Sequence, residues 1–142
     1  GVRVSLGTDG AASNNRLDIW DELRAAALIH KGITRDPTLV TSAEVLKMAT
    51  LNGAIALGFK NTGLIKEGYE ADMVLIDLDR PHYVGWNNVN LPGYIVYAGS
   101  SSDVKATVVA GKMLYKNGSF TEIDKERTVA EANAARRKLL GC

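Results

Sequence analysis

The sequence predicts an α/β segment followed by a mostly β module and a terminal helix. Three observations carry this. A short apolar alternation, Val2, Val4 and Leu6, leads into a small polar stretch and then a helical pattern. After Gly58 the texture changes to short apolar runs punctuated by Gly, Asn and Pro. From Asp124 to Leu140 the chain is rich in Ala, Arg, Lys and Glu, the composition of a surface helix. The expected units are therefore 1–58, 59–123 and 124–142.

Val2 to Leu6 reads as a buried strand, broken by Gly7-Thr8-Asp9-Gly10. Gly7 to Asn15 is small and polar and should be a loop, the kind of segment that carries function when a rigid scaffold holds it. A helix should follow from about Leu17 to Lys31, capped by Asn15 or Asp18 and stopped by Lys31-Gly32. Its early acids Asp21 and Glu22 suit the helix dipole, and Trp20 falls on its apolar face. Thr41-Ser42-Ala43-Glu44 is a capping box for a second helix, which Asn52-Gly53 should split. Gly63-Leu64-Ile65 and Ala71 to Asp77 read as strands around a Gly68 turn. Met73 to Ile76 is apolar on both faces, so both faces should be covered. Residues 81–103 look irregular. Val104–Val109 and Lys112–Tyr115 flank Ala110-Gly111 as a hairpin, and Asn117-Gly118 is a further turn.

Composition excludes several classes. The 142 residues suffice for one modest domain or for pieces of something larger. A net charge of +1, with both signs interspersed, offers no basic stripe for nucleic acid. No apolar run reaches the roughly 18 residues of a membrane span. The one cysteine, Cys142, permits no internal disulfide, which suits a reducing cytoplasm. The chain opens on Gly1, inside what reads as a strand, and a single such strand needs parallel neighbours reached through crossover helices. An upstream part is therefore expected to lie elsewhere.

Three segments together resemble the amidohydrolase superfamily. Leu6-Gly7-Thr8-Asp9-Gly10-Ala11-Ala12-Ser13-Asn14-Asn15-Arg16-Leu17-Asp18 is similar to the end of the eighth barrel strand and its loop in methylthioadenosine/S-adenosylhomocysteine deaminases and related chlorohydrolases. Gly63 to Leu75 resembles that family's re-entry into a small β-sandwich. Tyr97 to Val104, with the Val108-Val109-Ala110-Gly111-Lys112 hairpin, resembles the end of the same sandwich. The resemblance implies the last strand–helix portion of a (β/α)8 TIM barrel, the C-terminal part of a composite β-sandwich, and a terminal helix.

It also implies a chemistry. Asp9 corresponds to an aspartate that touches the metal or its water, and is the expected catalytic and metal-binding residue. A divalent metal, zinc in this reading, lowers the pKa of a bound water to about 7. A carboxylate beside that water can take its proton and pass it on. The end of a barrel strand is where such folds place chemistry. Read locally, without the other two segments, Asp9 is more simply the cap of a turn or helix. Ser13 and Asn14 either contact substrate or hold the loop. His30, near a helix end, and His82, after Pro81, lie at no strand end and are not read as ligands. The family's metal-binding histidines and proton-moving glutamate have no counterpart here. The chain alone is therefore expected to bind no metal tightly and to lack activity.

The implied reaction is hydrolytic deamination of an adenine-type nucleoside. Alternatives are a triazine or heterocycle chlorohydrolase or aminohydrolase, or a non-catalytic β-rich binding module. Unpaired strand edges predict self-association, or association with the missing N-terminal part.

Overall fold

The computed structural model describes residues 1–141, and Cys142 lies outside them. The first helix, α1, spans Ile19–Thr34. Asp18, not Asn15, caps it, its carboxylate accepting from the Trp20 amide at 3.0 Å. The helix passes through Gly32, beyond the expected stop. A helical glycine costs up to about 1 kcal/mol, but the last turn is tied down. Lys31 Nζ donates to the Val40 carbonyl at 2.8 Å and to Tyr97 Oη at 2.9 Å. Arg35, left-handed at φ 57°, and Pro37 behind it supply the true stop.

Helix α2 (Ser42–Ala49) opens with the expected capping box between Thr41 and Glu44. Helix α3 (Leu51–Ala56) follows at once. The break falls at Thr50, φ −120° and ψ −94°, rather than at Asn52-Gly53. The Thr50 hydroxyl bonds back to the Leu46 carbonyl at 2.7 Å, and Gly53 stays inside the helix.

Val2 to Leu6 does not form a strand. It is held by the Leu6 amide on the Met48 carbonyl (3.2 Å) and by Asn52 Nδ2 on the Val4 carbonyl (2.7 Å). A strand exists only through a ladder with a neighbour, and no other strand of the described residues lies beside it. Gly63-Leu64-Ile65 is not a strand either. Gly63 turns at φ 83° against α3, and Ile65 stands exposed.

The sheet is a four-stranded antiparallel meander, β1 (Met73–Ile76), β2 (Val104–Val109), β3 (Lys112–Lys116) and β4 (Ser119–Phe120), in that order. Met73 faces Val108 and Leu75 faces Ala106, with a bulge before Ile76. Both expected turns form, with positive φ at each central residue: Ala110 48° and Gly111 77°, Asn117 48° and Gly118 90°. Such turns match the right-handed strand twist. The expectation that both faces of β1 are covered fails, because Val74 and Leu75 are each 48% exposed. No described element covers that apolar surface.

Residues 77–103 link β1 to β2 and are less irregular than the sequence suggests. They hold a turn at Pro81–Tyr83, a short helix α4 (Leu91–Gly93) winding on through Tyr94–Ala98, and a turn at Ser101–Asp103. Val96 from this connection joins Leu23, Ala27 and Val45 in the core, with Trp20 and Leu6 packed against them. Three hydrogen bonds fasten the connection to α1. Two are the Lys31–Tyr97 bond and Arg24 Nη2 on the Gly99 carbonyl (2.6 Å). The third is Ser101 Oγ on Asp18 Oδ2 (2.6 Å). Helix α5 (Lys125–Leu140), capped by Asp124, buries no residue, as expected of a surface helix.

Gly63 offers a test of this packing. A Cβ there would lie 2.7 Å from Leu51 Cα, which cannot swing aside. Gly63→Ala should cost about 2–3 kcal/mol from the left-handed backbone plus overpacking. Gly68→Ala, also at positive φ (78°) but in open space, should cost about 1 kcal/mol. Urea denaturation of both variants checks this, and equal losses would refute the close approach.

Candidate active site

The loop between the extended N-terminal segment and α1 is built around Asp9. Asp9 is exposed and left-handed at φ 59°, a conformation Asp tolerates better than most residues. Its Oδ1 accepts from the Gly10 amide at 2.6 Å. The Ser13 and Asn14 amides both donate to the Gly10 carbonyl at 2.9 Å, closing a tight turn behind it. Ser13 is exposed, and Asn14 is half-buried. Asn14 Nδ2 donates to the Thr8 carbonyl (2.9 Å) and to Glu22 Oε1 (3.1 Å), while its Oδ1 accepts from the Arg16 amide (3.0 Å). Arg16 in turn meets Asp21 through Nε (3.1 Å) and Asp18 through Nη2 (3.4 Å). Burial pushes the Asp18 carboxyl up, but the Ser101 hydroxyl, the Trp20 amide and Arg16 outweigh it and hold it below the usual range.

The structure therefore brings Asp9, Ser13 and Asn14 onto one short loop fixed to the first turn of α1. His30 lies exposed on α1, and His82 lies in the connection. Among the described residues no group of three or more His, Cys, Asp or Glu side chains converges. A transition metal takes three or four protein ligands. These residues, with Asp9 as one candidate carboxylate, do not by themselves fit a metal centre.

A second polar cluster was not anticipated from the sequence. Asp103 is 1% exposed, and Tyr83 beside it is fully buried. Asp103 Oδ2 accepts from Tyr83 Oη (3.0 Å), the Ser100 amide (2.9 Å) and His82 Nε2 (3.0 Å). Arg80 Nε stands 3.5 Å from Oδ1. Burial pushes the Asp103 carboxyl up, but the hydrogen bonds from His82, Tyr83 and Ser100, with the His82 charge, hold it below the usual range. Burial, the hydrogen bond to Asp103 and its charge push the Tyr83 phenol up to about 12. The available signal was Ser100-x-x-Asp103, which forms a capping box.

The amidohydrolase family matches residues 1–114. The chain belongs to that family. Among curated amidohydrolase relatives it is 48% identical over 132 residues to the 5-methylthioadenosine/S-adenosylhomocysteine deaminase of Dictyoglomus thermophilum, covering 93% of this chain and 30% of that protein. It is 44% identical over 140 residues to the 5'-deoxyadenosine deaminase of Methanosarcina mazei, covering 99% and 32%. Among solved structures, an adenosine deaminase from Xanthomonas campestris with bound zinc matches at TM-score 0.91 and 34% identity, over 99% of this chain and 32% of that one. Atrazine chlorohydrolase from Arthrobacter aurescens, complexed with zinc, matches at TM-score 0.82 and 33% identity, over 94% and 30%. The chain spans about a third of the length of the curated relatives it matches. It shares the fold of the corresponding part of these amidohydrolases, which are TIM-barrel enzymes. No helix among the described residues is long and apolar enough to cross a membrane.

Proposed function

We propose that this chain is the C-terminal part of a zinc-dependent hydrolytic deaminase of adenine-type nucleosides, such as methylthioadenosine or S-adenosylhomocysteine. One observation carries the reading. Asp9 stands exposed on a loop fixed at both limbs, in a chain 48% identical to a protein named as such a deaminase. In this reading residues 1–58 are the end of the barrel, residues 59–123 part of a composite sandwich, and 124–142 a terminal helix.

Asp9 takes the proton of the attacking water and hands it on as ammonia leaves, and it would be the one ligand this chain offers to the zinc, the others coming from the rest of the enzyme. The exposed Ser13 is the more available substrate contact. Asn14 can contribute only from the loop wall, because both its amide hydrogens are taken. The half-exposed Val74 and Leu75 are where the rest of the enzyme, or a second copy, would cover the sheet. A cytoplasmic setting suits a chain whose one cysteine is its last residue.

A second reading, a triazine hydrolase, draws on the structural match to atrazine chlorohydrolase. A substrate screen on the protein expressed from the complete reading frame separates the two. Ammonia release from methylthioadenosine, S-adenosylhomocysteine or 5'-deoxyadenosine at rates well above those on atrazine is the expected result. Turnover of the triazine alone would overturn the nucleoside reading. The isolated chain should release no ammonia from methylthioadenosine.

A further inference from the structure

Helix α1 opens with Asp21 and Glu22, two acids whose simplest role is to favour the helix dipole. Asp21 does no more than meet Arg16 and Arg24. Glu22 differs, because it reaches back to Asn14. That asparagine has a determined orientation. Its Oδ1 faces an N–H, and its Nδ2 faces a carbonyl and a carboxylate, so a flipped amide would set oxygen against two acceptors. The carbonyl it holds is that of Thr8, the peptide that leads directly into Asp9.

Asp9 occupies a left-handed backbone conformation, which persists where surrounding contacts over-determine it. Orienting the Thr8 carbonyl orients the peptide plane from which the Asp9 side chain departs. We infer that Glu22 is a positioning residue for Asp9, acting through the Asn14 amide on the Thr8 carbonyl. The bond from Asn14 to a carboxylate is charge-assisted and so stronger than a neutral one. Glu22 itself sits on a helix turn fixed by the Asp18 cap and by the Ser101 hydroxyl from the connection. The loop is thereby referenced to helix α1 as well as to its own turn contacts. The inference rests on reading Asp9 as catalytic only for its kinetic consequence; the geometric link stands apart from it.

The test compares Glu22→Ala and Glu22→Gln with the wild type, in the protein from the complete reading frame. Two readouts are taken: hydrogen exchange of the 7–16 loop against the β2–β3 hairpin, and steady-state deamination of methylthioadenosine. Glu22→Ala should raise loop exchange about tenfold while the hairpin is unchanged. It should lower kcat about tenfold with KM altered less than about twofold. Glu22→Gln keeps an acceptor oxygen for Asn14 and should recover most of both. A purely structural role would raise exchange in loop and hairpin alike and give no rescue by glutamine, and that pattern overturns the inference. So does an unchanged loop in Glu22→Ala. Should Glu22→Ala not fold, Glu22→Gln decides alone: the inference requires loop exchange and kcat within about threefold of wild type, the margin for exchanging a charge-assisted bond for a neutral one, and a greater loss of either sinks it. A wild type without deaminase activity would remove the role given to Asp9, and the exchange comparison would then decide the geometric link by itself.

Discussion

Asp103→Ala is expected to destabilise the protein by about 2–5 kcal/mol, because it leaves donors in the protein interior without their acceptor. Three donors converge on Asp103 Oδ2, from Tyr83, His82 and the Ser100 amide. Alanine leaves the buried Tyr83 hydroxyl and the half-buried Ser100 amide without that acceptor, each at about 1–3 kcal/mol. The loss also loosens the Ser100–Asp103 turn, whose Ser101 bonds the α1 cap Asp18 and whose neighbour Gly99 accepts from Arg24. The effect should depend on acid. The folded carboxyl lies below its usual range, so its stabilisation is present above the unfolded-state pKa of about 4. It is lost as pH falls through the lowered folded value. Asp103→Asn removes that titration, so its stability should change less than wild type's between neutral pH and the acid range. Urea denaturation across pH measures both. An Asp103→Ala loss under about 1 kcal/mol at neutral pH would contradict the buried network.

Asp9→Asn is expected to lower kcat for methylthioadenosine by about 10³-fold in the complete enzyme, within the range for a lost general base. Asparagine matches aspartate in shape and also tolerates the left-handed conformation seen at φ 59°. Its side-chain oxygen can still accept from the Gly10 amide, as Asp9 Oδ1 does. The loop should therefore keep its form while the carboxylate's capacity to take a proton disappears. Folding should be unaffected, because Asp9 is exposed and joins no core contact. Steady-state kinetics with a matched denaturation curve checks both halves. A variant within tenfold of wild type would leave Asp9 a turn residue and nothing more.

Much of the candidate site was legible because its signals are local. Thr8-Asp9-Gly10 and the small residues after it announce a loop, and the Asp9–Gly10 and Ser13–Gly10 contacts close within a few residues. The positioning role of Glu22 was not legible. As one of two early acids it carries only the dipole explanation, and its partner lies eight residues back, across a turn whose path no propensity specifies. Asp103 was obscured in the same way. Its capping-box spacing is visible, but its burial follows from Tyr83 and His82, about twenty residues away.

The sequence by itself determined the capping box at Thr41, the glycine turns after Ala110 and Asn117, and the β2–β3 hairpin around the first of them. Each is settled by hydrogen bonds over short separations, so neighbouring residues contain the whole cause. Tertiary structure alone decided that α1 runs past Gly32, that Gly63 packs on α3 instead of starting a strand, and that Val2 to Leu6 lacks a ladder. It also docked the connection on α1 through Arg24–Gly99 and Asp18–Ser101, pairs 75 and 83 residues apart. Strand pairing and burial are properties of what comes to lie alongside a segment, and a periodic pattern states which face wants a neighbour without stating whether one arrives.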